Sequence, residues 1–159
     1  MKGAKQGESG VKVLAVNRKA RQRYSVEERM ESGIELKGTE VKSMRGARFS
    51  FGDAYARIEG SEVWLHNLNI SAYEHGNIHN HDPERPRRLL LHKQEIKRLK
   101  RKVDEKGLTM VPLRFYLKKG IVKLELGLCR GKKLYDRREE IKKRDQKLDA
   151  EREARHSFR

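Results

Sequence analysis

The feature that most constrains the fold is a pair of segments in which apolar and polar residues alternate, joined by a Lys-Lys-Gly turn. The alternating apolar residues are Val111, Leu113, Phe115 and Leu117 in the first segment, and Val122, Leu124, Leu126 and Leu128 in the second. Apolar residues at every second position share one face of a β-strand. A short turn with glycine between two such strands indicates a β-hairpin. The sequence therefore predicts a hairpin over residues 111–128.

The first half of the chain predicts short strands with a short helix after them. Residues 11–16 have the composition of a strand, and a helical turn is expected to begin at Asn17. The alternation from Tyr24 predicts a half-exposed strand, a turn at residues 32–33 and a second strand. Thr39 is expected to cap the short helix that follows.

The second half adds a further hairpin, a loop and a longer helix. Gly60 predicts the turn of a hairpin over residues 53–70, while residues 71–88 lack periodicity and are expected to form a loop. A helix is expected between His92, in the capping position, and Gly107. Six or seven short strands with two or three inserted helices predict a mainly β fold. A small antiparallel barrel, similar to an OB fold, closes so many short edges around one core.

The charge of the chain indicates its class of partner. The formal net charge is +16 over 159 residues, which predicts a partner rich in phosphate. Residues 24–83 contain six basic and ten acidic residues, whereas the segments on both sides are basic. This distribution favours a folded body that docks on nucleic acid through particular surfaces. No apolar stretch is long enough to insert into a membrane, so no membrane partner is expected.

Three regions are predicted along the chain. They are a flexible N-terminus over residues 1–10, the barrel over residues 11–130 and a basic C-terminal tail over residues 131–159. The N-terminus lacks the apolar segment of a secretory signal, and the lone Cys129 fits a reducing compartment. A cytoplasmic location is therefore expected. Cys129 ends an apolar strand and is expected to be a small core residue.

The tail has the composition of a helix but almost no apolar face. Its large apolar residues Leu134, Ile141 and Leu148 recur only once per two helical turns. A helix that packs on a core needs three or four apolar residues in that length. The tail is therefore expected to be disordered in the free protein.

The sequence contains no recognisable catalytic group. His75, His79 and His81 lie close together, but glycine, asparagine and proline around them argue against a zinc-binding helix. The string "GLCRGKK" lacks the spacing and the Ser or Thr of a phosphate-binding loop. We therefore expect no enzyme activity, no metal and no cofactor.

Clusters of cations support binding to nucleic acid instead. The clustered residues are Arg18, Lys19, Arg21 and Arg23 in one predicted turn, and Arg85, Arg87 and Arg88 in a segment spaced by proline. Each cation near a phosphate adds affinity through counterion release. Aromatic residues make up only 6% of the chain, so a sheet that stacks RNA bases is not indicated. The composition predicts an RNA-binding barrel with basic extensions, and no DNA partner is expected.

Several strings, in their order and spacing, resemble the SsrA-binding protein family, also called small protein B. The strings are "LAVNRKARQRY", "ESGIELKGTEVKSMRGAR", "DAY", "NLNISAY", "PERPRRLLLHKQEI" and "GLCRGKKLYDRREEIKKRD". This family is the bacterial partner of transfer-messenger RNA (tmRNA). The resemblance implies an OB-like barrel with peripheral helices that binds the tRNA-like domain of this RNA near its elbow and makes no covalent bond.

The resemblance also implies a role in ribosome rescue by trans-translation. With its RNA, the protein is expected to occupy the empty A site of a ribosome stalled on a message that lacks a stop codon. Its tail is expected to lie as a helix along the vacant mRNA channel, against small-subunit rRNA beyond the decoding centre. The family often has a tryptophan where this chain has Gln146, so charge is expected to contribute more than stacking there. An intrinsic ribosomal protein is the alternative interpretation, and an RNA-processing enzyme is a third.

The candidate site residues form two groups. Those expected to bind tmRNA, by the resemblance or as members of the cation clusters, are Asn17, Arg18, Lys19, Arg21, Glu31, Lys42, Arg45, Arg87, Arg88, Leu90 and His92. Those expected to contact the ribosome are Gly131, Lys132, Lys133, Tyr135, Asp136, Arg137, Arg138 and Ile141. Glu31 differs from its group, because an acid repels phosphate unless it accepts from a base edge or orients a neighbouring cation.

Overall fold

A computed structural model of the chain describes residues 10–75, 80–132 and 134–157. The strands and helices along these residues, with their bounds, are β1 (Val11–Val16), α1 (Arg18–Arg23), β2 (Tyr24–Ile34), α2 (Gly38–Arg45), β3 (Phe49–Ser50), β4 (Tyr55–Glu59), β5 (Glu62–His66), β6 (Asn69–Ile70), β7 (Arg87–Leu90), α3 (Lys93–Lys106), β8 (Thr109–Lys118), β9 (Ile121–Gly131) and α4 (Leu134–Ser157).

The predicted hairpin of β8 and β9 is the central element of the fold. The two strands pair antiparallel, and Lys119 and Gly120 connect them with left-handed backbone angles, φ 51° and 77°. These angles match the right-handed twist of the two strands. Leu124 and Leu126, from the predicted apolar face, are fully buried. The hairpin prediction is therefore confirmed.

Six strands close into an antiparallel barrel. Their order around the ring is β8-β4-β5-β7-β2-β9, and β9 pairs back to β8. β1 pairs with β8 beside the ring, while β3 and β6 form a separate two-stranded sheet. The interior contains fully buried side chains such as Val63, Leu65 and Phe115. The predicted small antiparallel barrel with inserted helices is confirmed.

β2 is one long strand, so the expected turn at residues 32–33 is wrong. Gly33 pairs with Lys123 of β9 and with Leu90 of β7, and the strand continues between these two neighbours. A Cβ at position 33 would lie 3.1 Å from the Cβ of Leu90. Glycine is therefore used here for the close approach of two strands, not for a turn.

α2 begins differently from the prediction, because Lys37, not Thr39, is its N-cap residue. The Glu40 carboxylate accepts from the backbone N–H of Lys37 at 2.9 Å. The Thr39 hydroxyl lies 2.8 Å from Nδ1 of His81, and Nε2 of His81 lies 2.8 Å from the carbonyl oxygen of Ile70. A carbonyl only accepts, so Nε2 donates to Ile70, and a second hydrogen bond joins Nδ1 to the Thr39 hydroxyl. Through His81, these contacts join the start of α2 to Ile70 at the end of β6.

A second, smaller core lies outside the barrel, beneath α1. Ala20 of α1 packs there with Val111, Leu113 and Cys129. Burial raises the pKa of the Cys129 thiol to about 11, so the thiol stays protonated at neutral pH. The prediction that Cys129 is a core residue is confirmed.

α3 has the predicted ends. It begins after His92, although the His92 side chain makes no capping hydrogen bond within the described residues, and it ends at Gly107 with φ 62°. Leu99 is fully buried against the barrel. Beside Leu99, Arg98 pairs with Glu28 of the barrel strand β2 at 2.7 Å.

The tail is a helix, α4. Its 24 residues span about 36 Å at 1.5 Å per residue. Arg138 and the side chains from Ile141 to His156 are exposed, and no described residue of α4 belongs to either buried cluster. Disorder of the tail is therefore not confirmed, whereas the expected lack of a packed apolar face agrees with the exposure. Among the described residues, no helix is long and apolar enough to cross a membrane.

Candidate nucleic-acid interface

Two β-bulges shape the outer face of the barrel beside α1. One lies at residues 26–28 of β2 and the other at residues 112–114 of β8. A bulge changes the alternation of a strand, so it can bring apolar and charged residues onto the same face. Here Arg29 and Arg114 share the outer face with the apolar Leu113. We call the surface formed by α1 and the outer faces of β2, β8 and β9 the basic face.

Asn17 holds α1 on the basic face. Its Oδ1 accepts from the N–H of Ala20 at 3.2 Å, as predicted for a helix cap, and its Nδ2 donates to the carbonyl of Pro112 at 2.9 Å. Only 5% of Asn17 is exposed. Asn17 therefore positions α1, and its expected contact with RNA stays a prediction. The side chains that α1 presents to solvent are Arg18, Lys19, Arg21 and Arg23.

Glu31 lies further along β2, about 23 Å from Tyr24 at the end of α1. Its carboxylate accepts from the Tyr116 hydroxyl at 2.5 Å and from Nζ of Lys118 at 3.3 Å. The hydrogen bond from Tyr116 lowers the pKa of the Glu31 carboxyl and outweighs the partial burial that would raise it. Glu31 is therefore an ionised acceptor in a fixed orientation.

A second carboxylate connects α1 to Glu31. Glu125 of β9 lies directly opposite Glu31 in the β2–β9 ladder. Its Oε1 accepts from Arg29 at 3.3 Å and its Oε2 accepts from Arg114 at 2.6 Å. The Arg114 guanidinium lies 5.0 Å from the centre of the Tyr116 ring. A series of contacts thus runs from Arg29 and Arg114 through Glu125 and Tyr116 to Glu31.

Lys42 and Arg45 lie on α2, at the end of the barrel nearest Glu31. Both are exposed. Nη2 of Arg45 donates to the carbonyl of Gly120 at 3.1 Å, in the turn that follows Lys118. Nζ of Lys42 lies 5.2 Å from the centre of the Tyr73 ring.

Leu90 and His92 lie near Glu31 on its other side. Leu90 pairs with Gly33, two residues after Glu31, and is 49% exposed, which is unusual for a leucine. The His92 side chain is also exposed. An open groove between β2 and α3 is lined by Glu31 and by Gln94, two residues after His92. The structure therefore brings Leu90 and His92 to the same end of the barrel as Glu31.

The predicted cluster of Arg85, Arg87 and Arg88 is not an exposed basic patch. Arg87 is fully buried, and its Nε donates to Glu40 at 2.6 Å. Arg85 donates to the same carboxylate, and Arg88 donates to Glu35 at 2.9 Å. The expectation that Arg87 contacts RNA is wrong, because its charge is neutralised inside the fold.

The tail leaves the barrel beside α1. Gly131 pairs with Tyr24 at the end of β9. The N–H of Lys132 donates to the carbonyl of Arg23, and its Nζ donates to the carbonyl of Arg21, both at 2.9 Å. Of the other tail candidates, Arg138 and Ile141 are exposed on α4, whereas Lys133 and the side chains of Tyr135, Asp136 and Arg137 lie outside the described residues.

The three clustered histidines do not converge where they are described. His81 is buried and hydrogen-bonded, and the His75 ring packs edge-on against Tyr73 with 5.4 Å between centroids. His79 lies outside the described residues.

Sequence reasoning missed five charged or aromatic residues of the basic face. They are Arg29, Arg114, Tyr116, Lys118 and Glu125. A signal for them existed, because the alternation that predicts the apolar face of the hairpin places most of them on its opposite face. The strand register, which sets Glu125 opposite both Glu31 and Arg114, has no counterpart in the sequence.

The variant Tyr116→Phe tests how Glu31 is held. Loss of the hydroxyl is expected to raise the pKa of the Glu31 carboxyl and to reduce stability at pH 7 by about 1 kcal/mol. Because the folded-state pKa is lowered, this stability is present above the ordinary value of 4.5 and is lost as pH falls through the folded pKa. NMR titration of Glu31 and urea unfolding at pH 7 and pH 3 measure the two effects. Tyr55→Phe, on the opposite side of the barrel, should leave the Glu31 titration unchanged.

A closed antiparallel barrel, with a face of exposed cations around fixed carboxylates, defines the class of an RNA-binding barrel protein. Residues 14–156 match the family model described as SmpB protein. The chain therefore belongs to the SmpB family.

Relatives from several bacteria support this membership over nearly the whole chain. An SsrA-binding protein of Treponema denticola is 59% identical over 143 residues, which cover 90% of this chain and 93% of that protein. The SsrA-binding protein of Borrelia garinii subsp. bavariensis is 49% identical, covering 91% of this chain and 96% of the relative. A chain of the solved structure "tmRNA-SmpB: a journey to the center of the bacterial ribosome" is 50% identical, with a TM-score of 0.64 and coverage of 79% of this chain and 87% of that chain.

Proposed function

We propose that this protein binds tmRNA through the basic face and acts with it in trans-translation on the bacterial ribosome. The name of the relatives, SsrA-binding protein, and the tmRNA-SmpB structure support this function. The observation that carries it is the Glu31 carboxylate, held by Tyr116 and Lys118 among exposed cations. The cations supply affinity for phosphate, and a fixed acceptor supplies selectivity by reading a base edge.

The test is a binding titration of the full-length protein with tmRNA and with random RNA of the same length. Both affinities should fall as salt rises, because phosphate contacts release counterions. At every salt concentration tmRNA should bind more tightly, since base contacts add to the common electrostatic attraction. Equal affinities across the salt series would contradict the proposal.

The proposal extends to the ribosome. The barrel brings the RNA to the empty A site of a stalled ribosome, and the tail follows the vacant mRNA channel along small-subunit rRNA beyond the decoding centre. The exposed, cation-rich α4 supports this part, because it has side chains available for rRNA phosphates. Under this proposal the protein works in the cytoplasm, makes no covalent bond and needs no cofactor.

The variant Glu31→Ala is expected to weaken tmRNA binding about tenfold and to leave random RNA unchanged or slightly tighter. The lost acceptor removes a base contact, whereas the lost negative charge favours phosphate. Gel-shift titration with both RNAs measures the ratio. The matched control is Glu59→Ala, because Glu59 is also an ion-paired carboxylate with a lowered pKa but lies on β4, across the barrel from β2. An equal loss of affinity for both RNAs would contradict the role of Glu31.

A further inference from the structure

A pocket of about 290 Å³ lies on the basic face, between α1, the end of β1 and strands β2, β8 and β9. Its floor is apolar and its rim is charged. The lining residues are Val16, Val26 and Leu113 on the floor, and Arg21, Arg29, Arg114 and Glu125 around it. Pockets for small molecules commonly have volumes of about 300–1,000 Å³. This one is therefore suited to a single ring system.

The floor of the pocket depends on a glycine. A Cβ built at Gly127 would lie 2.8 Å from Cδ1 of Leu113 and 2.9 Å from its Cγ. Any other residue at position 127 would push Leu113 away from β9. The absent side chain lets Leu113 pack closely against β9, so that Leu113 is buried at the base of the pocket.

The rim combines one fixed carboxylate with an excess of cations. Both oxygens of Glu125 are oriented, Oε1 by Arg29 at 3.3 Å and Oε2 by Arg114 at 2.6 Å. An ionised carboxylate has about four acceptor positions, so Glu125 retains acceptor capacity beyond these two bonds. Within the part of the chain that the structure describes, the Arg21 guanidinium has no hydrogen-bond or ion-pair partner. The pocket therefore offers an oriented acceptor pair, an apolar surface and an available cation.

We propose that this pocket binds one guanine nucleotide unit, unstacked from the bound RNA; the assignment rests on the proposed function and specifies the base it reads. The face of the base covers Val16, Val26 and Leu113, and its phosphate pairs with Arg21. Guanine presents two adjacent donors, N1–H and N2–H, to one carboxylate. Adenine and cytosine each present a single amino group on that edge, and uracil a single imino group. Glu125 therefore selects guanine over the other three bases.

The first experiment titrates the isotopically labelled full-length protein with GMP, AMP, CMP and UMP and follows backbone amides around the pocket by NMR. GMP is expected to bind about tenfold more tightly than the others, because a second charge-assisted hydrogen bond forms only with guanine.

In Glu125→Gln the preference for GMP should disappear. In Arg21→Gln all four nucleotides should weaken equally, because this change removes a phosphate contact and no contact within the fold. Arg57→Gln, on β4 across the barrel, is the control. Equal binding of all four nucleotides to the unmodified protein would overturn the assignment.

A second arm identifies the source of the nucleotide. Saturating tmRNA should displace bound GMP from the pocket, because the RNA supplies its own guanine. Simultaneous binding of GMP and tmRNA would show that tmRNA does not supply the nucleotide that fills the pocket. Either failure leaves the proposed function intact, since that function fails only if the protein does not prefer tmRNA to random RNA in the separate titration.

Discussion

A protein shortened to end at Lys132 is expected to keep its affinity for tmRNA within a few-fold. It is expected to lose nearly all of its activity in trans-translation, measured as the tagging of nascent chains on stalled ribosomes. Neither buried cluster includes a described residue of α4, so the barrel and its basic face should fold without it. The cations of α4 are the groups proposed to contact rRNA in the mRNA channel. RNA affinity is measured by gel shift. Tagging is measured on ribosomes programmed with a message that lacks a stop codon.

The position of the truncation is important for this test. Ending the chain at Arg130 would also remove the pairing of Gly131 with Tyr24 and the hydrogen bonds of Lys132 to α1. That shorter variant is a useful comparison and should bind RNA more weakly than the one ending at Lys132. Full tagging by the protein ending at Lys132 would remove the proposed role of the tail. Loss of RNA binding in the same protein would instead assign the tail to the RNA-binding surface.

The variant Glu40→Ala is expected to have the largest effect on stability. Glu40 and Arg87 are both fully buried, and Glu40 also accepts from Arg85 and from the backbone N–H of Lys37. Removing one partner of a buried ion pair leaves the other charge uncompensated and costs about 3–5 kcal/mol. Whole domains are stable by only about 5–15 kcal/mol. The midpoint of urea unfolding should therefore fall sharply.

The control is Glu59→Ala, which breaks an ion pair on the surface and should change the unfolding midpoint little. An unchanged midpoint for Glu40→Ala would show that solvent or another group replaces the carboxylate.

The same residue predicts how stability depends on pH. Burial raises the pKa of the Glu40 carboxyl, but the hydrogen bonds from Lys37, Arg85 and Arg87 outweigh it and leave the pKa below 4.5. The stabilisation is therefore complete above the unfolded-state value and is lost as pH falls through the folded-state pKa. The unfolding midpoints of the unmodified protein and of Glu40→Ala should converge in acid, below pH 4.5.

Local patterns predicted the elements that local chemistry determines. The alternation from Val111 to Leu128 gave the right hairpin, and the side chain of Asn17 and the left-handed Gly107 gave helix ends in the right places. The wrong predictions concern residues whose environment comes from distant parts of the chain. Ser32 and Gly33 predict a turn from local sequence, because the approach of Leu90 to Gly33 is not visible locally. The cation cluster predicts an exposed Arg87, because its partner Glu40 is 47 residues away.

The candidate interface was predictable only where its residues are neighbours in the sequence. The cations of α1 form a run in the sequence, and the structure exposes them together. Glu31 was identified only through the family resemblance, and nothing near it in the sequence indicates that Tyr116 orders its carboxylate. The pocket depends on the register of three strands and on two bulges, which follow from the packing of the whole barrel.

The way the tail is attached has a consequence for how this sequence can diverge. Lys132 donates hydrogen bonds to the backbone carbonyls of Arg21 and Arg23. Substitutions on the exposed side of α1 therefore leave the root of the tail in place, as long as the six-residue helix persists. Selection can therefore change the charges proposed to contact tmRNA without redirecting the segment proposed to contact rRNA. The two proposed recognition surfaces can evolve separately although they lie side by side.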